Sequence, residues 1–427
     1  MRTLIRNGYV IDPASGVEGT YDVLIDGDRI GRVAKNLAAE ASRDTEVIDV
    51  SGCYVMPGFI DLHVHLREPG FEYKETIRTG SLAAAAGGFT TICPMPNTKP
   101  ATDSAEMIGR VLEQAAKEGI VHILPIGAVT LGQEGKELTD IAAMTKAGAV
   151  ALSEDGKSVM DTALYAEGMR RAAHCNIPVF AHCEDKSLVG NGVINAGKKA
   201  QELGLPGISN AVEDIITARD ILLAKETGVR LHLCHCSTRD SVKMIALAKE
   251  EGLKVTGEVC PHHFTLSEED IPGDNADYKM NPPLRSLEDV VALKEAIGKG
   301  IIDVISTDHA PHSKEEKEKS FREAPFGIVG LETAFALTMT ELVEKGYLTP
   351  GQMVEKLSVN PARILGCDKG RIGEGCIADL VIADPGQEYV IDRSSFFSKG
   401  KNTPFDGRRV RGRILYTFVG GKLVYES

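Results

Sequence analysis

Two histidines one residue apart follow an apolar run that begins at Met56. Because successive side chains of a β-strand point to opposite faces, His63 and His65 would lie on one face, a few ångströms apart. Neutral imidazoles in this geometry suit a divalent metal such as zinc. Two ordinary histidines would give the same pattern, so the pair predicts a metal site only if other ligands converge on it.

Further candidate ligands stand at the ends of other strand-like runs. These residues are Asp155, His182, His235 and Asp308. In a barrel of alternating strands and helices, reactive side chains lie at the carboxyl ends of the strands, so all four would meet the two histidines on one rim. Four histidines and two aspartates together predict a metal centre.

Other ionisable residues near these runs have simpler interpretations. Glu154 and Glu184 could compete as ligands, but each lies beside a better-placed candidate. His122, His174 and His232 fall at helix or mid-strand positions, and we interpret them as structural.

The elements that would position the candidate ligands alternate along the middle of the chain. Short apolar runs predicted as strands lie at 56–65, 88–95, 121–128, 148–154, 177–183, 229–236, 254–260 and 302–308. Helix-type segments between them include 104–117, 161–174, 209–225 and 237–249. Strands that are apolar throughout imply a parallel sheet covered on both faces, and eight strand–helix units favour a closed barrel. We therefore predict an α/β fold with a (β/α)8 TIM-type barrel.

The two ends of the chain have a different pattern, that of short strands joined by turns. Turn signals occur at Asn7-Gly8, Asp26-Gly27 and Gly420-Gly421. Since chain termini often lie close together, we expect residues 1–55 and 366–427 to form one small, discontinuous β-sandwich-like domain. Residues 56–365 would then form the barrel domain.

Composition narrows the class of protein. The chain has 427 residues, of which 43% are hydrophobic and 26% charged, as is typical of soluble globular proteins. The net charge of −13 argues against nucleic-acid binding. No apolar stretch reaches the roughly 18 residues of a membrane span, and the N-terminus has no signal-peptide block. Nine cysteines, an odd number without a secretion signal, indicate reduced thiols and a cytoplasmic location.

Two charged segments stand out from this background. The basic run at 408–413 is interpreted as a solvated loop or a local docking surface. The mixed run at 315–319 is interpreted as a mobile, exposed loop. Because it follows the last predicted strand, the sequence leaves open whether the 313–325 loop acts as a lid.

Several motifs together resemble one known family. They are 57–65 (PGFIDLHVH), 66–70 (LREPG), 93–98 (CPMPNT), 280–285 (MNPPLR) and 306–312 (STDHAPH). The first resembles the opening of the metal-dependent amidohydrolase superfamily. The others are similar to the dihydroorotases, specifically the long bacterial type (class I), and the similarity runs over essentially the whole chain.

The resemblance implies a set of metal ligands. His63, His65 and Asp308 would bind one zinc ion, and His182 and His235 would bind a second. In many relatives a carboxylated lysine within the fourth strand bridges the metals. The run 149–155 contains no lysine, which points to Asp155 as the bridge and leaves the number of zinc ions, one or two, open.

A carboxylated Lys157 is the alternative bridge, although this lysine lies beyond the predicted strand.

The resemblance also implies the substrate contacts. Arg67 and Asn97 would bind a substrate carboxylate, with His312 assisting from the loop after the eighth strand. Arg67 lies two residues after His65, so on a continued strand it would lean over the same mouth.

The ring amide groups of the substrate would meet Asn281 and the backbone around Phe326 and Gly327. On the residues alone, Asn97 could simply close a turn, and Gly327 could be an ordinary loop glycine.

The implied activity is the reversible cyclisation of N-carbamoyl-L-aspartate to L-dihydroorotate in de novo pyrimidine biosynthesis. Zinc-activated hydroxide would attack the cyclic amide, with Asp308 as general base and then general acid. We expect a homo-oligomer, and the sequence leaves its number of subunits open. A complex with aspartate transcarbamoylase is a further expectation from the resemblance.

Two alternatives stay open from the sequence. An allantoinase or hydantoinase would act on a five-membered ureide ring, but such relatives usually carry the strand-four lysine and differ around Asn97. A catalytically silent scaffold would typically have lost metal ligands, whereas this chain retains them all.

Overall fold

The computed structural model describes residues 2–40 and 43–427. Its strands, in chain order, are β1 (Arg2–Asp12), β2 (Val17–Asp26), β3 (Arg29–Ala34), β4 (Thr45–Asp49), β5 (Tyr54–Pro57), β6 (Phe59–Val64), β7 (Phe89–Pro94), β8 (His122–Ile123), β9 (Ile126–Ala128), β10 (Ala151–Ser153), β11 (Val179–Ala181), β12 (Ile194–Asn195), β13 (Gly207–Ile208), β14 (Leu231–Leu233), β15 (Val255–Val259), β16 (Val304–Ile305), β17 (Leu380–Val390), β18 (Arg409–Val419) and β19 (Lys422–Glu426).

The α-helices lie mostly between the strands of the middle region. They are α1 (Ile77–Ala86), α2 (Ala105–Glu118), α3 (Ile141–Ala147), α4 (Thr162–His174), α5 (Lys186–Val189), α6 (Lys198–Leu203), α7 (Ala211–Thr227), α8 (Arg239–Glu250), α9 (Pro261–Thr265), α10 (Leu287–Gly298), α11 (Lys314–Lys317), α12 (Ala334–Thr338), α13 (Pro350–Val354) and α14 (Asn360–Leu365). Short 3-10 helices cover Leu37–Glu40, Leu131–Gln133, Glu268–Asp270, Ala276–Tyr278 and Arg393–Ser395, and π-helical turns cover Met339–Val343 and Glu355–Val359.

Three of the predicted helices begin one or two residues late because the residue just before each helix is its N-terminal cap. The Ser104 hydroxyl accepts the Met107 N–H at 3.2 Å, and the Asp161 carboxylate accepts the Leu164 N–H at 3.0 Å. Thr238 caps α8 in the same way. Cap side chains satisfy amide donors that have no partner within the helix.

The middle of the chain forms the predicted (β/α)8 barrel. Parallel pairing joins β6, β7 and β8, and then runs from β9 through β10, β11, β14 and β15 to β16. β8 and β9 are two halves of one interrupted strand, because the Leu124 N–H still donates to Ile92 O and the Val150 N–H to Pro125 O.

The ring closes between β16 and β6. Val64 pairs in parallel with His309, and the His65 N–H donates to His309 O at 2.8 Å. Each barrel strand except β8 and β15 is buried along its whole length, in keeping with a sheet covered by helices. One boundary was wrong: Met56 and Pro57 belong to β5, so the first barrel strand begins at Phe59.

The two ends of the chain meet in a separate, eight-stranded sheet. Its order is β19-β18-β17-β5-β1-β2-β3, with β4 also paired to β1. The predicted turns at Asp26-Gly27 and Gly420-Gly421 join β2 to β3 and β18 to β19. The discontinuous β-region is therefore present, while the exact domain boundaries 1–55, 56–365 and 366–427 stay a prediction.

The predicted Asn7-Gly8 turn was wrong, because β1 runs straight through it. The register shifts between Ile5 and Gly8, which marks a β-bulge. Asn7 takes a φ of +61° there, and its N–H donates to the Asp22 carboxylate at 2.9 Å. Bulges use the same residue types as turns, so the local signal was ambiguous.

Both charged segments are more ordered than the sequence suggested. The basic run lies largely in β18 rather than in a loop, and Arg411 pairs with Glu344 at 3.0 Å and with Glu388 at 2.9 Å. The 315–319 run begins as helix α11, whose Lys317 is buried rather than exposed.

Candidate metal centre

His63 and His65 lie at the carboxyl end of β6, with ring centres 5.4 Å apart. His63 Nε2 lies 3.3 Å from Asp155 Oδ1 and 3.4 Å from Asp308 Oδ1. His65 Nε2 lies 3.0 Å from the same Asp308 oxygen. The donor atoms of the predicted first triad therefore converge on one point.

Asp155 occupies the centre of the cluster. One or other of its carboxylate oxygens lies 3.3 Å from a nitrogen of His63, 3.6 Å from His65, 3.5 Å from His182 and 3.9 Å from His235. A carboxylate within 4 Å of four imidazoles stands where a bridging ligand would be needed.

The rings of His182 and His235 also lie close to Asp155. His182 Nδ1 is 2.8 Å from His235 Nε2, and the ring centres of His235 and His63 are 5.1 Å apart. His235 and Asp308 have φ values of +35° and +47°, in the region that non-glycine residues rarely adopt. Backbone strain of this kind is concentrated at functional sites.

The donor set suits a divalent metal. Imidazole nitrogens and carboxylate oxygens are ligands for zinc and similar ions. Two triads each hold their donor atoms within 4.8 Å of one another, and His63 belongs to both. These triads are His63–His65–Asp308 and His63–Asp155–His235. His63 Nε2, which faces both aspartates, makes no hydrogen bond to the described residues.

The electrostatics of the cluster indicate the same fit. Burial alone would raise the pKa of both aspartates, but the imidazoles, His63 foremost, hold the pKa of Asp155 well below its usual range and that of Asp308 at about 2. Burial would lower the pKa of His63, but Asp155 and Asp308 raise it well above its ordinary value. A bound cation would balance the carboxylates in place of these ring protons.

Glu258 is a functional neighbour that the sequence reasoning missed. It lies in β15 with no exposed surface, and its carboxylate is 2.9 Å from His63 Nδ1. His232 Nε2 donates to Glu258 Oε2 at 3.0 Å, and the backbone N–H of His235 donates to Glu258 Oε1 at 3.2 Å. A carboxylate on the far nitrogen fixes the tautomer and orientation of a ligating histidine. His232 therefore supports the centre indirectly. The sequence signal that could have revealed Glu258 is its position as a single acidic residue inside a largely apolar strand.

Asp61 was also overlooked. It accepts the Thr307 hydroxyl at 2.6 Å and the His63 N–H at 3.0 Å. Burial raises the pKa of Asp61 to about 7 despite these hydrogen bonds. The residue thus ties the first barrel strand to the segment that carries Asp308.

Asn97 reaches the metal centre directly. Its Oδ1 is 2.9 Å from His65 Nδ1, and its Nδ2 donates to Asp155 Oδ2 at 3.0 Å. Asn97 therefore orients two candidate ligands in this structure.

The prediction that Arg67 continues the strand was wrong. β6 ends at Val64, and Arg67 has a φ of +61°, so the chain has already turned. Its guanidinium still lies at the mouth, where Nε donates to Pro311 O at 3.2 Å and Nη2 is 3.4 Å from His312 Nε2.

The remaining substrate-contact candidates are linked by hydrogen bonds and close contacts to the mouth or to the metal-ligand cluster. His312 Nε2 donates to Phe326 O at 2.8 Å, and the Gly327 N–H donates to Lys279 O at 3.0 Å. Asn281 donates to Glu184, whose carboxylate is 3.9 Å from His182 Nε2.

Two alternatives from the sequence do not join the cluster. Lys157 is exposed, and its Nζ lies 3.5 Å from Gly132 O. Glu154 turns away and accepts the N–H groups of Val129 and Thr130, each at 3.1 Å.

Among the residues that the structure describes, all nine cysteines are free, as predicted. No helix in this part of the chain is both long and apolar enough to cross a bilayer.

Solved structures of similar fold place this barrel among the cyclic amidohydrolases. L-hydantoinase (dihydropyrimidinase) from Arthrobacter aurescens superposes with a TM-score of 0.88 at 28% sequence identity, covering 99% of this chain and 96% of that one. A barrel with a metal-ligand cluster at the strand ends, plus a β-rich region, defines the class: a TIM-barrel cyclic amidohydrolase.

Sequence comparison narrows the class to one family. A family model described as dihydro-orotase-like matches residues 52–241. A protein named dihydroorotase from a Thermoanaerobacter species is 48% identical over 427 residues, covering 100% of this chain and 98% of the relative. A dihydroorotase from Bacillus cytotoxicus is 47% identical over the same length, covering 99% of that relative. The chain belongs to the dihydroorotase family.

Proposed function

We propose that this protein interconverts N-carbamoyl-L-aspartate and L-dihydroorotate in de novo pyrimidine biosynthesis. One observation carries the proposal: a chain similar over its full length to dihydroorotases brings four histidines and two aspartates to one rim of its barrel. Hydrolysis of a cyclic amide needs an activated water, a polarised carbonyl and a proton carrier, and this rim has groups for each.

The metal would be zinc, one or two ions per subunit. His63, His65 and Asp308 would hold one ion, and His182 and His235 a second, with Asp155 between them. Zinc bound there supplies a Lewis acid that lowers the pKa of water and polarises the ring carbonyl. The contacts of Asp155 with all four histidines support its role as the bridge.

Asp308 would carry the proton. Its carboxylate stands at the end of the eighth strand, 3.0 Å from His65 Nε2, which supports this role. It would take the proton from the nucleophile and give it to the leaving ring nitrogen. In the reverse direction, it would deprotonate the ureido nitrogen as the ring closes.

Polar side chains at the mouth would select the substrate. Arg67, together with Asn97 and His312, would bind the carboxylate, for which a planar guanidinium fork is well suited. Arg67 uses Nε on Pro311 O, which leaves other guanidinium N–H groups for a ligand. Asn281 and the backbone of Phe326 and Gly327 would bind the ring amide groups.

A substrate panel tests the proposal. Purified, zinc-loaded protein would be assayed with dihydroorotate, allantoin and hydantoin under identical conditions. We expect turnover of dihydroorotate in both directions and at least about 100-fold lower kcat/KM for the other two, since each lost carboxylate contact is worth a few kcal/mol. A preference for hydantoin, which the fold similarity to L-hydantoinase makes the second candidate, would overturn it.

The cellular setting is part of the proposal. We place the enzyme in the cytoplasm as a homo-oligomer that associates with aspartate transcarbamoylase, whose product it would consume. Size-exclusion chromatography of the two proteins, separately and mixed, tests this: consistent separate elution would contradict the complex.

A further inference from the structure

Lys317 is a buried cation that the proposed chemistry does not use. Its residue is only 9% exposed, although it lies in the charged run at 314–319. Its Nζ donates to three backbone carbonyls: Gly327 O at 3.0 Å, Pro325 O at 3.2 Å and Lys279 O at 3.3 Å. An ammonium has three N–H donors and no acceptor, so its hydrogen-bonding capacity matches these carbonyls.

The three carbonyls come from two separate chain segments. One segment leads into Asn281, and the other contains Phe326 and Gly327, so together they hold the groups proposed to meet the substrate ring. The two segments also contact each other directly, because the Gly327 N–H donates to Lys279 O at 3.0 Å. Lys279 O thus accepts hydrogen bonds both from Gly327 and from Lys317.

Further hydrogen bonds hold the 325–327 backbone. Phe326 O accepts from His312 Nε2 at 2.8 Å, and Asn402 Nδ2 donates to Gly327 O at 3.0 Å. Gly327 has a φ of +130°, and a Cβ there would lie 2.7 Å from the Ala310 Cβ. The 325–327 backbone is therefore held in one conformation from several sides.

Glu316, the residue before Lys317 in α11, is also held by its neighbours. Glu316 pairs with Lys74 at 2.9 Å and lies 3.4 Å from His312 Nδ1. The helix therefore touches a proposed carboxylate-binding residue through Glu316 and the ring-binding backbone through Lys317.

Keeping an ammonium in this position has an energetic cost. Burial lowers the pKa of Lys317 to about 7, while Asp277 acts in the opposite direction. Lys279, with its Nζ 4.6 Å from the centre of the Phe326 ring, lies close by and opposes the charge further. The three hydrogen bonds from Lys317 to backbone carbonyls offset part of this cost.

We propose that Lys317 is a positioning residue that clamps the 279–281 and 325–327 segments together as one wall of the substrate site. The inference rests on the proposed function for the identity of the substrate, but the clamp itself is a property of the fold. Loss of the ammonium separates the two segments and weakens binding of the ring in ground state and transition state alike.

The test combines a kinetic and a structural measurement on the full-length, zinc-loaded protein. The variants are Lys317→Met, which keeps the length but removes the donors, and Lys317→Arg, which keeps a charge and donors. Lys319→Met is the matched control, since Lys319 is exposed in the same segment. Amide hydrogen exchange at Gly327 reports on the clamp without any substrate.

For Lys317→Met we expect faster exchange at Gly327 and a rise of about tenfold in KM for dihydroorotate, with kcat within about twofold of the parent. Lys317→Arg recovers part of the loss, and Lys319→Met matches the parent. A merely structural lysine would lower kcat and the amount of active enzyme instead of KM alone.

The outcomes are separable. Unchanged exchange at Gly327 in both Lys317 variants overturns the clamp, whatever the substrate. Faster exchange with an unchanged KM overturns its role in substrate binding. If the parent protein does not turn over dihydroorotate, the proposed function fails, and the exchange data alone still decide on the clamp. If Lys317→Met does not fold, Lys317→Arg is compared with the parent in the same two measurements.

Discussion

The candidate metal centre and the proposed substrate wall are built in different ways. The centre consists of side chains from strand ends, and its histidines are supported by buried side chains such as Glu258 behind His63. The proposed wall consists of backbone carbonyls and amides in loops, fixed by the side chains of Lys317, Asn402 and His312. Strand ends give the rigidity that metal ligands need, whereas loops give a shape that can differ between related substrates.

Removal of the metal should have the largest effect. Dialysis against a chelator is expected to abolish turnover and to lower Tm, because the ion binds only the folded centre. Activity measured after adding back zinc should return in proportion to the metal bound. Full activity in demonstrably metal-free protein would show that the cluster of histidines and aspartates is not a catalytic metal centre.

Substitution of Asp308 should come next. Asp308→Asn keeps the shape but removes the proton acceptor, so we expect kcat to fall by about 10²–10⁴-fold. Zinc content is measured on the same samples to separate loss of the base from loss of the ion. A variant that keeps both its zinc and its kcat would show that another group carries the proton.

The support behind His63 should matter less than the ligands themselves. For Glu258→Gln we expect zinc affinity to fall by about 10–100-fold, as is typical of residues that orient a metal ligand. Competition with a chromophoric chelator measures it. Glu341→Gln is the control, since Glu341 is a buried acid that pairs with Lys294 away from the centre. Equal affinities in both variants would mean that His63 needs no such support.

Substitution of Arg67, which lies at the mouth near His312, should show the smallest effect, and one confined to substrate binding. Arg67→Lys keeps the charge but loses the planar fork, so we expect KM for dihydroorotate to rise by about tenfold with zinc content unchanged. Steady-state kinetics together with metal analysis check this. A variant deficient in zinc would show that the two regions are not independent.

The convergence of the candidate ligands was easier to predict from the sequence than the loop contacts, for physical reasons. His63, His65, Asp155, His182 and His235 were predictable because strand periodicity and barrel topology fix where strand ends point. The prediction that the strand continues to Arg67 was wrong, because the sequence after Val64 carries no clear signal that the chain turns there.

Partners that act behind the ligands were harder to find. Glu258 and Asp61 sit within apolar strands, and their contacts join positions far apart in the chain. The sequence pattern of the charged run at 315–319 predicted an exposed loop. No local pattern shows that Lys317 donates hydrogen bonds to three backbone carbonyls that the fold brings next to it. Tertiary contacts of this kind follow from the fold and not from spacing.

The link between Asp61 and Thr307 has a consequence for biogenesis. These residues are 246 positions apart in the sequence, yet their hydrogen bond joins the first barrel strand to the segment after the last one, beside the metal centre. Contacts so distant in sequence form late, because a long loop must close before they form. A chain still leaving the ribosome thus exposes the early histidine pair without its final acid. We therefore expect an incomplete polypeptide to bind the ion only weakly.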